Sequence, residues 1–227
     1  MCDFFKSSIG RKMGVAVTGL ILFGFVVAHM LGNLQIFLGQ EALNDYARHL
    51  HELPLLLWPA RIFLLVSFVV HIALSLALAY ENRKARPVPY AYTGTVQASY
   101  ASITMVATGL VILLFVVYHL LHFTFGVTNP QFFHLVDSKG RIDVYSMMVL
   151  SYRRQFISWT YILAMAFLCL HLSHGLASFP QSLGIDLNKH ERCMKNFATG
   201  LALAVFAGNS SIPLAVLLNF VKLPGGG

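Results

Sequence analysis

Read as alternating apolar and polar stretches, the 227-residue chain divides into five long apolar runs, near residues 13–38, 58–80, 99–126, 155–179 and 197–221. About 20 helical residues at 1.5 Å rise cross a hydrocarbon core about 30 Å thick, so each run is long enough to span a bilayer. The fifth is interrupted by Asn209, Ser210, Ser211 and Pro213. The nine acidic residues all fall between the runs, as expected where a charge inside the bilayer is costly. The pattern predicts an all-α integral membrane protein: one domain over residues 1–227 with five transmembrane helices. The first run follows Arg11 and Lys12 but is too long for a signal-peptide core and has no small-x-small cleavage site. It reads as a retained span.

Composition sharpens the picture. Hydrophobic residues make up 57% of the chain and charged ones 11%, against about 25% charged in a soluble domain; mean hydropathy is +0.68. With the N-terminus inside, nine Lys and Arg flank the inner helix ends (Lys6, Arg11, Lys12, Arg83, Lys84, Arg86, Lys189, Arg192, Lys195). Seven flank the outer ends (Arg48, Arg61, Lys139, Arg141, Arg153, Arg154, Lys222). This bias favours a cytoplasmic N-terminus. The +7 net charge then belongs to the membrane flanks, and with no nucleic-acid motif that partner class is set aside. Cys2, Cys169 and Cys193 form no C-x-x-C or zinc spacing. They are too few to hold an iron–sulfur cluster, which needs about four thiolates.

Within the runs lies a repeat. Thr18-Gly19-Leu20, Phe25-Val26-Val27, His29 and Leu31 recur as Thr108-Gly109-Leu110, Phe115-Val116-Val117, His119 and Leu121, eight identities in fourteen aligned positions. The second and fourth runs share His71 with Leu76-Ala77 and His171 with Leu176-Ala177. Helices one and two therefore recur as three and four, which predicts a four-helix bundle with a pseudo-two-fold axis along the membrane normal. The fifth helix falls outside the repeat.

The repeat carries the chemistry. Six of the ten histidines, His29, His71, His119, His122, His171 and His174, lie within spans. One such histidine is accounted for by a hydrogen bond to a neighbouring helix or by a polar cavity; one on each of four consecutive helices points to function. At 1.5 Å per residue His29 lies roughly 24 Å past Met13, with His119 at the matching place; His71 and His171 lie about 12–14 Å from their inner ends. Two pairs at two depths suit two bis-imidazole haems. A tetrahedral zinc site needs its ligands on one point. His122 and His174, each three residues beyond a repeat histidine, are candidates to bond a haem propionate or a quinone. Gly19, Gly24, Gly109 and Gly175 are candidates for letting helix backbones approach a flat macrocycle.

At these residues the chain resembles the two-haem, single-anchor cytochrome b subunit of succinate:quinone oxidoreductases and quinol:fumarate reductases. The resemblance covers nearly the whole chain. Its parts are Ser7-Ser8-Ile9-Gly10-Arg11-Lys12, Thr18-Gly19-Leu20, His29-Met30-Leu31-Gly32-Asn33-Leu34, His71, Tyr118-His119 and His171-Leu172-Ser173-His174-Gly175-Leu176 with Ser178-Phe179. It implies a five-helix anchor holding two haem b groups, the outer by His29 and His119, the inner by His71 and His171. It implies a prokaryotic cytoplasmic membrane, with a flavoprotein and an iron–sulfur subunit docked on the inner face. The dicarboxylate chemistry would belong to the flavoprotein, and the whole complex could dimerise. Ser7 and Arg11 are candidates to pair with inner haem propionates.

The resemblance further implies menaquinone or menaquinol near the outer haem. Quinone candidates lie between the first two helices: His49, His51 and Arg61, with Glu52 as the proton-exchanging group, since quinone reduction consumes protons as well as electrons. No carboxylate relay crosses the predicted spans; Cys169 stands two residues before His171, where one would fit. The competing readings are a cytochrome b anchor of another quinone-linked dehydrogenase, a b561-like reductase, a histidine-lined transporter or a purely structural anchor.

Overall fold

The computed structural model describes residues 7–85, 99–186 and 188–224, leaving Cys2, Asp3, Lys6 and Arg86 outside the described part. Helices dominate, and the extended pairing among the described residues is one isolated bridge between Val136 and Ile142. Five helices are long and apolar enough to cross a membrane, so the chain is a multi-pass membrane protein. They are α1 (Ser8–Asn33), α3 (Pro54–Lys84), α5 (Met105–His119), α8 (Gln155–Ser182) and α9 (Glu191–Leu217). Between them run α2 (Gln40–His51), α4 (Tyr100–Ile103), α6 (Pro130–Phe133) and α7 (Val144–Tyr152).

Local chemistry sets the helix ends. Ser7 Oγ accepts from Gly10 N at 3.0 Å and starts α1, satisfying one of the orphan amides of the first turn. The helix tightens into a 3₁₀ turn at Leu34–Leu38 and stops at Gly39, whose φ of +99° suits a residue without Cβ. Pro54 occupies the first turn of α3, where its missing N–H is no loss. Past His119, α5 widens into a π-helical turn at Leu120–Thr124. Asp143 caps α7 by accepting from Ser146 N at 3.0 Å.

The third span is shorter than its apolar run, Met105–Thr124 against residues 99–126. In contrast, α3 and α9 begin before theirs and α3 also ends later, so Glu81 and Glu191, read from sequence as lying between spans, are inside the helical ends of α3 and α9. Glu81 forms a salt bridge with Arg11 of α1, which puts the start of α1 beside the end of α3; this end is the N-terminal face of the bundle. α1 lies against both α3 and α8, and α8 against both α1 and α5.

The fifth helix differs from its sequence picture. The polar stretch does not break it: Asn209 Nδ2 donates to Val205 O at 2.9 Å and Ser211 Oγ to Gly208 O at 2.7 Å. α9 makes its broadest contact with α8, also touches α1, and is the most buried of the five spans. Small residues explain this. Ala198 and Ala202 are fully buried, and an added Cβ on Gly208 would run into Met30 Sδ of α1. Small faces of this kind let membrane helices approach.

The densest packing lies at the far face. Ile36 after α1, Leu43 of α2, Tyr145, Met148, Val149 and Tyr152 of α7, Ile157 and Tyr161 of α8, and Ile212 and Val216 of α9 form one buried cluster. The spans instead leave large apolar side chains open, such as Leu55, Trp58, Phe156 and Phe197, as expected of helices whose solvent is lipid. In the sequence both α2 and α7 fall in the connections between apolar runs. α2 is polar on one face and α7 is nine residues long, so neither resembles a span.

Candidate functional site

The four repeat histidines fall into two levels. In α3 and α8, His71 Nδ1 lies 3.1 Å from Thr18 Oγ1 of α1, and His171 Nδ1 lies 3.2 Å from Thr108 Oγ1 of α5. Beside each threonine a glycine leaves room for the ring. A Cβ on Gly19 would lie 3.2 Å from His71 Cε1, and one on Gly109 would lie 3.4 Å from His171 Cε1. Thus Gly19 and Gly109, which the sequence offers for letting helix backbones approach a flat macrocycle, each admit an imidazole here. A Cβ on Gly24 or Gly175 would meet nothing within 4 Å.

The threonines fix the ring tautomer. Thr18 Oγ1 lies 2.7 Å from Gly14 O and Thr108 Oγ1 lies 3.0 Å from Thr104 O. Each hydroxyl proton goes to a carbonyl of its own helix, as buried threonines in helices do. The hydroxyl oxygen then accepts from the imidazole Nδ1–H, leaving the lone pair on Nε2. His71 and His171 lie within electrostatic reach of each other across the bundle. Both are therefore set to bind through Nε2.

At the second level His29 of α1 faces His119 of α5, with ring centroids 5.8 Å apart and planes at 89°. Two metal–imidazole bonds of about 2 Å plus two ring radii of about 1 Å would place centroids roughly 6 Å apart, so the separation of these rings matches that of two imidazoles sharing one metal ion. His29 Nε2 is bonded by Asn33 Nδ2 at 3.0 Å, a contact that ligation would replace. From Thr18 to His29 and from Thr108 to His119 is the same eleven residues. The two levels are thus about 16 Å apart along the helices.

Beyond the second level the halves diverge. His122, in the π-helical turn, is buried and both of its ring nitrogens have protein partners. Nδ1 lies 2.8 Å from Tyr161 Oη, and Nε2 lies 2.7 Å from Asn129 Nδ2 and 3.2 Å from Ser151 Oγ. The sequence offered His122 to a propionate or a quinone; the structure gives it to this network. His174 is partly exposed one turn from His171 toward the N-terminal face, with Lys195 of α9 within electrostatic reach. Ser7 caps α1 and Arg11 pairs with Glu81, so each has a structural partner on that face.

The quinone candidates do not converge. His51 and Glu52 line a cleft of about 300 Å³ between α2 and residues 140–144, together with Arg48 and Arg141. Glu52 accepts from Arg48 Nη1 at 2.7 Å. His49 is exposed and bonds Asp45 O at 2.8 Å. Arg61 lies outside the cleft, with its guanidinium over the Trp58 ring at 5.3 Å.

The far face is closed by a charged lock between α2 and residues 134–146. Asn44 donates to Asp143 Oδ1 at 2.9 Å and Asp137 Oδ2 at 3.2 Å. Arg141 pairs with Asp137 at 2.8 Å and Glu41 at 2.9 Å. Burial alone would raise the Asp137 carboxyl. Bonds from the Arg141 amide and guanidinium, the Asn44 amide and the Lys139 amide outweigh it and hold the group at about 2. Bonds from Arg141 and Lys139 also lower Glu41, and one from Arg48 lowers Asp45.

Sequence reading named the four histidines but not their partners. Thr18 and Thr108 were visible as letters of the repeat. Tyr161 carried no signal, since the equivalent residue in the first half is Arg61. Among the described residues no three His, Cys, Asp or Glu side chains converge to hold a metal, so a metal here would rest on a two-imidazole donor set. Comparison of the chain with family models and known proteins, and of its fold with solved structures, finds no match.

Proposed function

We propose that this chain is the dihaem cytochrome b anchor of a succinate:quinone oxidoreductase or quinol:fumarate reductase, passing electrons between membrane menaquinone and an iron–sulfur partner subunit. The observation that carries the reading is the pair of histidine levels about 16 Å apart, one of which has both Nδ1 atoms held by threonine so that Nε2 is free. Among the described residues no third His, Cys, Asp or Glu joins these histidines, and a bis-imidazole donor set suits haem iron, which His29 with His119 and His71 with His171 would hold. The haems supply one-electron chemistry at two points across the bilayer.

In this reading the chain's own residues bind and orient. His71 and His171 hold the level nearer the N-terminal face, which is the inner side, and His29 and His119 hold the outer level. Thr18 and Thr108 fix ring angle and tautomer, a role in which such partners tune a metal site. The inner face, with Ser7, Arg11, His174 and Lys195, receives the iron–sulfur subunit, and the flavoprotein lies beyond it. The cleft at His51 and Glu52 exchanges quinone protons with the outer water.

The test is a dithionite-reduced minus oxidised spectrum of the detergent-purified chain, with a pyridine haemochrome assay for stoichiometry. Two b haems per chain are expected. No haem in a folded preparation would overturn the reading and favour a histidine-lined transporter.

A further inference from the structure

The outer level holds a buried network with no counterpart in the first half of the repeat. Tyr161 of α8 is 5% exposed and His122 is 2% exposed. Tyr161 Oη lies 2.8 Å from His122 Nδ1 and 3.4 Å from His119 Nδ1. The tyrosine ring is packed edge-on against Phe115 at 5.0 Å and Tyr152 at 5.2 Å, so its hydroxyl has little freedom. His122 stacks on Phe123 at 4.0 Å.

The direction of the bonds can be read from the far end. Arg154 has only donors, and its Nη1 bonds Asn129 Oδ1 at 3.1 Å. That orients the amide so that Asn129 Nδ2 donates to His122 Nε2. A neutral His122 therefore carries its proton on Nδ1 and donates it to Tyr161 Oη. The chain Arg154, Asn129, His122, Tyr161 thus pins one hydroxyl beside the Nδ1 of His119; its oxygen keeps a second lone pair, which accepts from Nδ1–H when His119 binds a metal through Nε2. At the positions equivalent to Tyr161 and His122 the first half has Arg61 and Gly32. Arg61 turns to Trp58, and a Cβ on Gly32 would lie 2.7 Å from Tyr46 Oη.

We infer that Tyr161, clamped by His122, is the positioning residue of His119 and makes the outer centre electronically distinct from the inner one. Inner rings are each held by a threonine at 3.1–3.2 Å; of the outer rings, His119 alone meets a clamped hydroxyl, and at a longer distance. An acceptor at Nδ1–H raises the donor strength of a ligating imidazole and lowers the potential of the metal it binds. Removing Tyr161 Oη therefore raises the potential of one centre and leaves the other in place.

The inference rests on the dihaem reading, and the test separates the two. Tyr161→Phe, Thr18→Val and wild type are compared by redox titration of the haem bands and by low-temperature electron paramagnetic resonance. In Tyr161→Phe one low-spin signal is expected to shift and one midpoint to rise, the other centre keeping its wild-type values. Thr18→Val moves the opposite centre. Two haems with signals and midpoints unchanged in Tyr161→Phe would overturn the inference while leaving the dihaem reading intact. Absence of haem in the wild type would sink the reading itself. His122→Gln, which frees Tyr161 without removing it, is expected to shift the same signal as Tyr161→Phe. A shift in the inner signal instead also overturns the inference.

Discussion

The two histidine levels occupy matching places in one repeat, yet they are built differently. Nearer the N-terminal face, each ring meets a threonine and a glycine from the adjacent helix, at distances within 0.2 Å of each other between the halves. Toward the far face, His119 meets Tyr161 while His29 meets Asn33 of its own helix. The inner level keeps the symmetry of the repeat because α1/α3 and α5/α8 are the same interface made twice. The outer level loses it because the second half carries the buried His122 and Tyr161, where the first has Gly32 and Arg61, and packs α7 against α8. A duplicated pair of helices retains its geometry where only the pair itself supplies the contacts. Where a third element packs in, the halves separate.

The largest break in this comparison is removal of an inner ring. His71→Ala or His171→Ala is expected to lower haem content from two to one per chain, read by pyridine haemochrome, with the remaining signal that of the outer centre. If either variant kept both haems, or lost both while folded, the assignment of these rings to one level would fail.

A finer test uses the glycines. A Cβ on Gly19 meets His71 Cε1 at 3.2 Å and one on Gly109 meets His171 Cε1 at 3.4 Å. Gly19→Ala should therefore displace its ring more than Gly109→Ala. A misplaced partner of a metal ligand typically costs about 10- to 100-fold in affinity, and the Gly19 variant should lie toward the larger loss. The check is haem retention during dilution in detergent. Equal retention in both variants would show that the rings tolerate the methyl, and the close fit would carry no function.

These residues also mark how far the sequence reaches. The five spans were legible because each is a long apolar run, and the histidine levels were legible because helical rise converts residue number into depth. The threonine–histidine bonds were half visible, since Thr18 and Thr108 recur but nothing in the sequence states which helix they face. Tyr161 was invisible. It lies in a run rich in apolar and aromatic residues, has no repeat partner of its kind, and acquires its meaning only when α5 and α8 pack. The amphipathic α2 and short α7 lie outside what hydropathy detects, since it finds spans, and these two helices are buried by one another and by the ends of the neighbouring spans.

The far face can be loosened without touching the inner level. Asn44 is fully buried; it bonds Asp137 and Asp143 and accepts from Tyr145 N at 3.0 Å. Asn44→Ala leaves two carboxylates and an amide short of partners, at a cost of about 1–3 kcal/mol. Proteolysis of residues 134–146 should quicken, while the inner signal stays unchanged. Unaltered cleavage would mean that the ion pairs hold the loop alone.

The smallest effect, and the most selective, is expected from pH. Asp137 sits at about 2 in the folded chain against an ordinary value of 3.8, and its depressed value sets the sign. A carboxyl that binds protons less readily when folded stabilises the fold above its unfolded value and loses that contribution as pH falls toward its folded one. Glu41 and Asp45 are lowered in the same lock, whereas Arg141 stays charged throughout because its partners raise it further. The lock should therefore be intact at pH 5 and above, and weaken as the pH drops from about 4 toward 2. The reporters are the amides of Lys139 and Arg141, which donate to Asp137 Oδ1 at 2.9 and 3.0 Å. Their hydrogen-exchange protection, corrected for intrinsic rate, should fall across that window in the wild type and be low and flat in Asp137→Asn. Neutral threonine hydroxyls hold the inner rings, so helix amides around His71 and His171 should show no matching step. A common step at both places would mean that the far face and the inner level unfold as one unit, and the contrast between them would be one of geometry without independence.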